Sequence, residues 1–174
     1  MKNSVIYLIL CLLLCVVSCK EKPKQQQPVT REEMKKSMET ANRYLLNEEE
    51  EEIDRYMRRH GLEMIKTGTG LRYQILKQGS DIQIEKGQAV TLEYELHSIK
   101  GDLIYSSEKE GYKKFVIGDG SVESGLDEAV TYLHNGDVAK VIIPFHLAYG
   151  LHGDDRDIPE YATLVYTIKI VDIQ

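Results

Sequence analysis

The sequence contains no tryptophan, and its three cysteines, Cys11, Cys15 and Cys19, all lie at the N-terminal end of its 174 residues. The chain beyond Cys19 therefore has no cysteine for an internal disulfide, a thiolate metal site or a nucleophile. Lysine and arginine never occur more than two in a row, and the formal net charge is −6. This charge distribution argues against a nucleic-acid-binding surface.

An apolar run, Val5–Val17, precedes Cys19. It is shorter than the ~20 residues of a membrane-spanning helix, and it is typical of a secretory signal. The four residues VVSC that end at Cys19 match the bacterial lipobox, so residues 1–18 are predicted to be a lipoprotein signal peptide and Cys19 to carry lipid. An ordinary signal peptide with a chance cysteine is the alternative. Lys20 follows where an aspartate would favour retention in an inner membrane, so we expect a lipid-anchored protein of the cell envelope, in the outer membrane, facing the periplasm or the exterior.

The next segments are a tether and a helical region. Residues 19–29 are polar, contain two prolines and predict a flexible tether. Residues 30–61 predict one long helix or two shorter ones, because Thr30 and Glu33 form a capping box and Gly61 supplies a stop. An apolar stripe along this segment is interrupted by a run of glutamates. Two interpretations stay open: a solvated helix that packs loosely on its own domain, and a homodimer through residues 30–60.

The remaining residues, 62–174, change to the period of β-strands. Apolar residues alternate from Leu71 to Ile75 and from Val90 to Leu96, and glycine-bearing turns separate these segments. Only Leu126–Leu133 has a helical pattern in this half. The sequence therefore predicts an α+β fold, in which an antiparallel sheet of five to six strands buries one face against one short helix.

Two sequence signatures then identify a family resemblance. The first is Ile143-Pro144 followed by LAYG at 147–150, and the second is ATLVY at 162–166. Together with the segments around residues 71, 92 and 126, they resemble the FK506-binding-protein class (FKBP-type) of peptidyl-prolyl isomerases over residues 65–174. Within that class, the lipobox, the charged N-terminal helix and the HLAYGLHGDD segment most resemble a lipoprotein associated with gliding motility in some bacteria.

The resemblance implies a fold, an activity and a class of client. It implies a twisted antiparallel sheet wrapped over one helix, with a proline-binding pocket between them, in an isomerase domain spanning residues 62–174. It also implies peptidyl-prolyl cis-trans isomerase activity on proline-containing polypeptides, in the folding of exported or surface proteins, with no cofactor and no metal. A non-catalytic chaperone or scaffold that holds peptides in the same groove is the alternative function.

Carried over position by position, the resemblance places ten residues in the pocket: Tyr94, Ile104, Tyr105, Phe115, Val122, Glu123, Leu126, Tyr149, Ile158 and Tyr166. It assigns the backbone N–H of Glu123 and the hydroxyl of Tyr149 to substrate carbonyls. Leu126 stands where the family often has tryptophan, and Tyr166 replaces a phenylalanine. Three further departures bear on activity, because Ile104 and Lys113 replace aromatic residues and Tyr105 replaces an aspartate. These departures favour the non-catalytic alternative, and restoring aspartate at position 105 is expected to raise the activity.

Two segments of the sequence superficially resemble other types of site. His152 and the aspartates of the 154–157 segment suggest a metal loop, but their spacing fits no EF-hand, and Arg156 in their midst opposes a cation. A solvated loop at the pocket mouth is the preferred interpretation. The segment Gly120–Gly125 contains two serines, yet it does not match the G-x-S-x-G pattern of a hydrolase.

Overall fold

The computed structural model describes residues 30–174. The predicted signal peptide, the lipid attachment at Cys19 and the tether lie outside the described residues. The helices are α1 (Arg31–His60), α2 (Ser107–Glu110) and α3 (Ser124–Val130), with one 3₁₀ turn at Phe145–Leu147. The strands are β1 (Ile65–Lys66), β2 (Arg72–Lys77), β3 (Ala89–Ser98), β4 (Leu103–Ser106), β5 (Lys113–Val116), β6 (Val138–Ile143) and β7 (Leu164–Ile173).

The N-terminal segment forms a single helix, α1. The Glu33 N–H donates to the Thr30 hydroxyl at 3.2 Å, and the Thr30 N–H donates to the Glu33 carboxylate at 3.0 Å, so the predicted capping box is confirmed. The helix ends before Gly61, whose φ of 62° breaks the helical path. The chain divides after Thr40, inside α1, into two compact units, and all elements from β1 onward belong to the second. Among residues 30–174, no helix is both long and apolar enough to cross a membrane.

All seven strands join one antiparallel sheet in the order β1-β2-β6-β7-β3-β4. The remaining strand, β5, pairs with residues 89–92 of β3, whereas β4 pairs with residues 95–97 of the same strand. Two strands therefore share one edge of β3. The predicted α+β sheet is confirmed, with seven strands instead of five or six, because β1 is only two residues long and because β4 and β5 lie end to end.

The main core lies between the sheet and α3. Leu126, Ala129 and Val130 of α3 are fully buried there against the sheet. The approach is close at Gly125, where a Cβ atom would lie 2.2 Å from Cγ2 of Ile143. Only glycine lets the start of α3 lie this near to β6. The short helix is thereby fixed on the sheet, and so is the residue in front of it.

The opposite face of the sheet is covered by the second half of α1. Ile53 and Tyr56 pack there against Ile99, Ile142 and Val165. Successive strand residues point to opposite faces, so these β6 and β7 side chains turn away from α3. The α1 residues Ile53, Tyr56 and Met57 are thus packed on the domain, and a loosely attached solvated helix is wrong for this part of α1.

Candidate functional site

The ten side chains predicted for the pocket come together around the N-terminus of α3. Eight lie on strands or on α3 and its leading residues, and two lie in the loop that follows β6. Nine belong to the main apolar core or pack against it, and the tenth, Glu123, is buried beside them. Their positions are Tyr94 (β3), Ile104 and Tyr105 (β4), Phe115 (β5), Val122 and Glu123 (before α3), Leu126 (α3), Tyr149 and Ile158 (after β6) and Tyr166 (β7).

Two tyrosines on neighbouring strands form a wall of the site. The ring centroids of Tyr94 and Tyr166 are 6.1 Å apart and the rings are tilted by 48°. Leu126 is fully buried in the same cluster, and Ile104 packs at its edge. Because β3 and β7 pair directly, with Tyr94 opposite Ile168 and Leu96 opposite Tyr166, the sheet register fixes both rings. The wall is therefore aromatic, and paired strands carry both of its rings.

A carboxylate occupies the interior of this apolar site. The side chain of Glu123 is only 2% exposed. Its Oε1 accepts a hydrogen bond from the Tyr166 hydroxyl, and its Oε2 lies 3.5 Å from the donating hydroxyl of Tyr149. Burying a charge in an apolar surrounding is costly unless donors and an opposite charge compensate it. The two phenols supply the donors.

The opposite charge comes from Lys113, which the family resemblance identifies only as a replacement for an aromatic residue. Its Nζ lies 3.7 Å from Oε2 of Glu123. The same ammonium lies over two aromatic rings, 5.4 Å from the Tyr94 centroid and 5.9 Å from that of Tyr166, which is cation–π geometry. The signal in the sequence was a lysine at a position where the family has an aromatic residue, together with a glutamate at a second pocket position.

The phenols around Glu123 remain protonated donors. Burial, reinforced by the charge of Glu123, raises the pKa of Tyr149 far above its usual value. Burial also raises the pKa of Tyr166 well above 10, and the Glu123 charge acts in the same direction. Both hydroxyls therefore carry their protons throughout the neutral range.

The second departure, Tyr105, is tied to the loop after β6. Its hydroxyl donates to Asp154, whose other oxygen accepts the N–H groups of Ile158 at 2.8 Å and Arg156 at 3.0 Å. The Arg156 guanidinium lies 5.1 Å from the Tyr105 ring centroid. Burial, with the hydrogen bond to Asp154, raises the pKa of Tyr105 to about 12. Tyr105 thus brings a carboxylate to the site from a different part of the chain.

The charged tip of this loop has an internal structural role. Burial alone would raise the pKa of Asp154, but the hydrogen bonds from Tyr105 and from three backbone amides lower it. Both oxygens of the Asp154 carboxylate therefore already accept hydrogen bonds from the protein itself. Within residues 30–174, no group of three or more His, Cys, Asp or Glu side chains is arranged to hold a metal ion.

A backbone donor remains at the mouth of the site. The Glu123 residue precedes α3 with φ −56° and ψ 138°, so its side chain turns inward ahead of the helix. Within the described chain, the Glu123 N–H makes no hydrogen bond to another backbone group. The half-buried Val122 packs beside it on the main core. An unpaired amide next to an apolar site is suited to receive a carbonyl oxygen from a ligand.

Comparison with known proteins shows where this architecture recurs. The family model described as FKBP-type peptidyl-prolyl cis-trans isomerase matches residues 80–171. The chain belongs to this family. A probable FKBP-type isomerase FkpA of Neisseria meningitidis serogroup B is 38% identical over 107 residues, which are 62% of this chain and 39% of that relative. FK506-binding protein 2 of Yarrowia lipolytica is 32% identical over 111 residues, 63% of this chain and 77% of that protein.

The structural comparison agrees with the family assignment. The crystal structure of AtFKBP13 superimposes with a TM-score of 0.61 and 25% identity, and the match covers 65% of this chain and all of that one. The FKBP-type region includes every one of the ten pocket residues and Lys113. The expected family and fold are therefore confirmed, and the ion pair of Lys113 and Glu123 lies within the region that the family model matches.

Proposed function

We propose that this protein is a membrane-anchored peptidyl-prolyl cis-trans isomerase that assists the folding of exported or surface proteins. The observation that carries the proposal is a pair of hydrogen-bond donors beside an apolar, aromatic site. The free N–H of Glu123 and the hydroxyl of Tyr149 lie next to the wall formed by Tyr94 and Tyr166. Such a site binds a prolyl ring and fixes the carbonyl groups of its peptide.

The chemistry needs no nucleophile and no cofactor. The barrier to rotation about an Xaa-Pro bond is ~20 kcal/mol, because the amide loses its conjugation midway. The twisted amide has a less polar carbonyl than the planar one, so a pocket poor in water favours the transition state over the ground state. Fixed donors hold the flanking peptide while the prolyl side turns.

Anchoring and client range are part of the same proposal. The VVSC motif supports lipid attachment at Cys19, and residues 19–29 would hold the domain off the membrane. The resemblance to a gliding-motility lipoprotein supports motility components as clients. Met34 and Met38 of α1 are 50% and 61% exposed, which supports a homodimer through residues 30–60.

A proline-limited refolding assay tests the enzymatic function. The full chain in mild detergent is added to an unfolded protein with a slow proline-dependent phase, and we expect this phase to accelerate at micromolar concentrations. The experiment keeps α1, because a domain cut at residue 61 would lose Ile53 and Tyr56 from the packing against the sheet. An unchanged slow phase, with the chain shown to be folded, would exclude the isomerase function.

The second candidate function is a non-catalytic peptide-binding chaperone or scaffold. The ion pair between Lys113 and Glu123 favours it, because charges replace apolar surface where a prolyl ring would lie. Binding of proline peptides without acceleration of the slow phase is the result that this function predicts. The anchor is tested separately by labelling cells with radioactive palmitate, where Cys19→Ala should abolish incorporation and persistent labelling would refute lipidation.

A further inference from the structure

Lys113 is directed into the site by the alternation of β5. Along this strand Lys113 and Phe115 are turned toward the core, while Lys114 and Val116 are exposed. The register places Lys113 opposite Leu92 and Lys114 opposite Thr91. Two adjacent lysines of the same strand therefore face different surroundings, one the pocket and the other solvent.

The Lys113 ammonium is held near the pocket without using its hydrogen-bond donors. It lies over the rings of Tyr94 and Tyr166 and 3.7 Å from the Glu123 carboxylate. At that distance the contact with Glu123 is an ion pair and not a hydrogen bond. An ammonium has three N–H donors, and none of them bonds to an acceptor within residues 30–174. The side chain is 23% exposed, so an incoming ligand can reach it.

Unlike the Lys113 ammonium, the two tyrosine hydroxyls of the site already donate hydrogen bonds within the protein. A hydroxyl has a single proton, and those of Tyr149 and Tyr166 are both donated to Glu123. Among these three side-chain donors, Lys113 alone has N–H groups that make no hydrogen bond, whereas the Tyr149 hydroxyl must leave its 3.5 Å contact with Glu123 to reach a substrate carbonyl. Any ligand lying on the aromatic wall also lies beside this ammonium, because both rings of the wall are within 6 Å of it.

We propose that Lys113 is a substrate-binding residue whose ammonium donates a hydrogen bond to a main-chain carbonyl flanking the prolyl bond. The proposal rests on the isomerase or peptide-binding function above. The acceptor is a flanking carbonyl, because a donor on the oxygen of the rotating amide would strengthen its partial double bond and slow the rotation. A neutral carbonyl is favoured over a carboxylate, since Glu110, Glu123 and Asp154 place negative charge around the site.

A simpler role for Lys113 is to neutralise the buried charge of Glu123. Replacing Lys113 alone does not separate the two roles, because it leaves a carboxylate buried without its counterion and destabilises the fold for that reason. The Glu123→Gln background removes the charge that needs neutralising and keeps an amide oxygen that can accept the hydrogen bond of the Tyr166 hydroxyl. In this background, a neutralising role predicts that Lys113 has become dispensable.

The experiment compares Glu123→Gln with the double variants that add Lys113→Met, Lys113→Arg or Lys114→Met, all as the full chain in detergent. An Ala-Leu-Pro-Phe tetrapeptide is the probe, and both its Kd and the kcat/KM for its isomerisation are measured. Adding Lys113→Met should raise the Kd and lower kcat/KM by about tenfold, the value of one charge-assisted hydrogen bond. Arginine at 113 should restore most of the loss, and Lys114→Met, the matched control, should change both by less than about twofold.

The outcomes distinguish this inference from the proposed function. If Lys113→Met in the Glu123→Gln background leaves the Kd within about twofold, Lys113 does not bind the substrate and the inference is overturned. If the wild-type chain binds the peptide but does not isomerise it, the enzymatic function fails, and the Kd series still decides the role of Lys113. Thermal unfolding of every variant shows that each is folded when its Kd is compared.

Discussion

The backbone N–H of Phe145 donates a 2.7 Å hydrogen bond to the carboxylate of Glu49, although 96 residues separate them in the chain. The Thr163 hydroxyl donates to the same oxygen at 2.5 Å. Phe145 begins the turn that leads to Tyr149, and Thr163 precedes the strand that carries Tyr166. One buried side chain of α1 thus holds both segments that deliver hydroxyls to the site.

Removing this carboxylate should destabilise the domain. In Glu49→Ala, the buried Phe145 N–H and the Thr163 hydroxyl lose their acceptor, which should lower the free energy of unfolding by about 2–4 kcal/mol. Urea denaturation followed by circular dichroism measures the change. The exposed neighbour Glu48 provides the control, since Glu48→Ala removes a carboxylate without a buried partner. Equal losses of unfolding free energy in Glu48→Ala and Glu49→Ala would show that the hydrogen bonds of Glu49 to Phe145 and Thr163 do not stabilise the domain.

The same residue should give the stability a defined pH dependence. Burial raises the pKa of Glu49 above its ordinary value of 4.5, despite the hydrogen bonds from Thr163 and Phe145. The folded state therefore binds this proton more tightly than the unfolded state, and this contribution to stability is complete below 4.5 and is lost as the pH rises through the raised pKa.

Glu49→Gln removes this titration and retains an oxygen that can accept both hydrogen bonds. Relative to the wild type, the variant should therefore gain in free energy of unfolding between about pH 4 and about pH 7. Parallel urea denaturation series across that range measure the difference. A difference that stays constant over the range would contradict the raised pKa.

Much of the fold is visible in the sequence because alternation and turn residues report local geometry. The strands around Leu92 and Val141 alternate or are continuously apolar, and the helix at Leu126 has its own period, so the sheet with one packed helix follows from the pattern. The role of Glu49 does not follow. It stands in a run of glutamates typical of a solvated helix face, and its partners lie 96 and 114 residues away.

In the site, too, residues within sequence motifs were predictable, whereas contacts between separate elements were not. Tyr149 and Tyr166 lie in segments whose order along the chain identifies the family, so their place in the pocket is predictable. The contact of Lys113 with Glu123 joins β5 to the residue before α3, and that of Tyr105 with Asp154 joins β4 to a loop. Spacing in the sequence does not encode such contacts, because they depend on how separate elements pack.

The Tyr105 contact reverses an expectation drawn from the sequence. Since its hydroxyl donates to Asp154, Tyr105→Asp would place a second carboxylate beside the first and remove a donor. We expect this variant to lower the free energy of unfolding by about 1–3 kcal/mol and not to raise isomerase activity. Tyr105→Phe, which removes only the hydroxyl, should lower the free energy of unfolding by a smaller amount.

Urea denaturation and the refolding assay measure both effects, with Tyr112→Phe, an exposed tyrosine, as the control. Tyr105→Asp should lose more free energy of unfolding than Tyr105→Phe. This difference should become smaller at acid pH, because protonation of one carboxylate relieves the repulsion. A faster isomerase with unchanged stability would instead show that an aspartate at this position restores a missing function.

The hydroxyl of Tyr149 should contribute to activity because it can exchange a weak internal contact for a substrate carbonyl. Its distance of 3.5 Å from Glu123 is at the limit of a hydrogen bond, so little is lost when it turns to the substrate. Tyr149→Phe should therefore lower kcat/KM by about five- to tenfold.

The pKa of the Tyr149 hydroxyl is raised far above its usual value, chiefly by burial. The ratio of wild-type to Tyr149→Phe activity should therefore stay flat from about pH 6 to about pH 9. Tyr44→Phe, at an exposed position of α1, serves as the control, and equal activity of the two variants would remove Tyr149 from the mechanism.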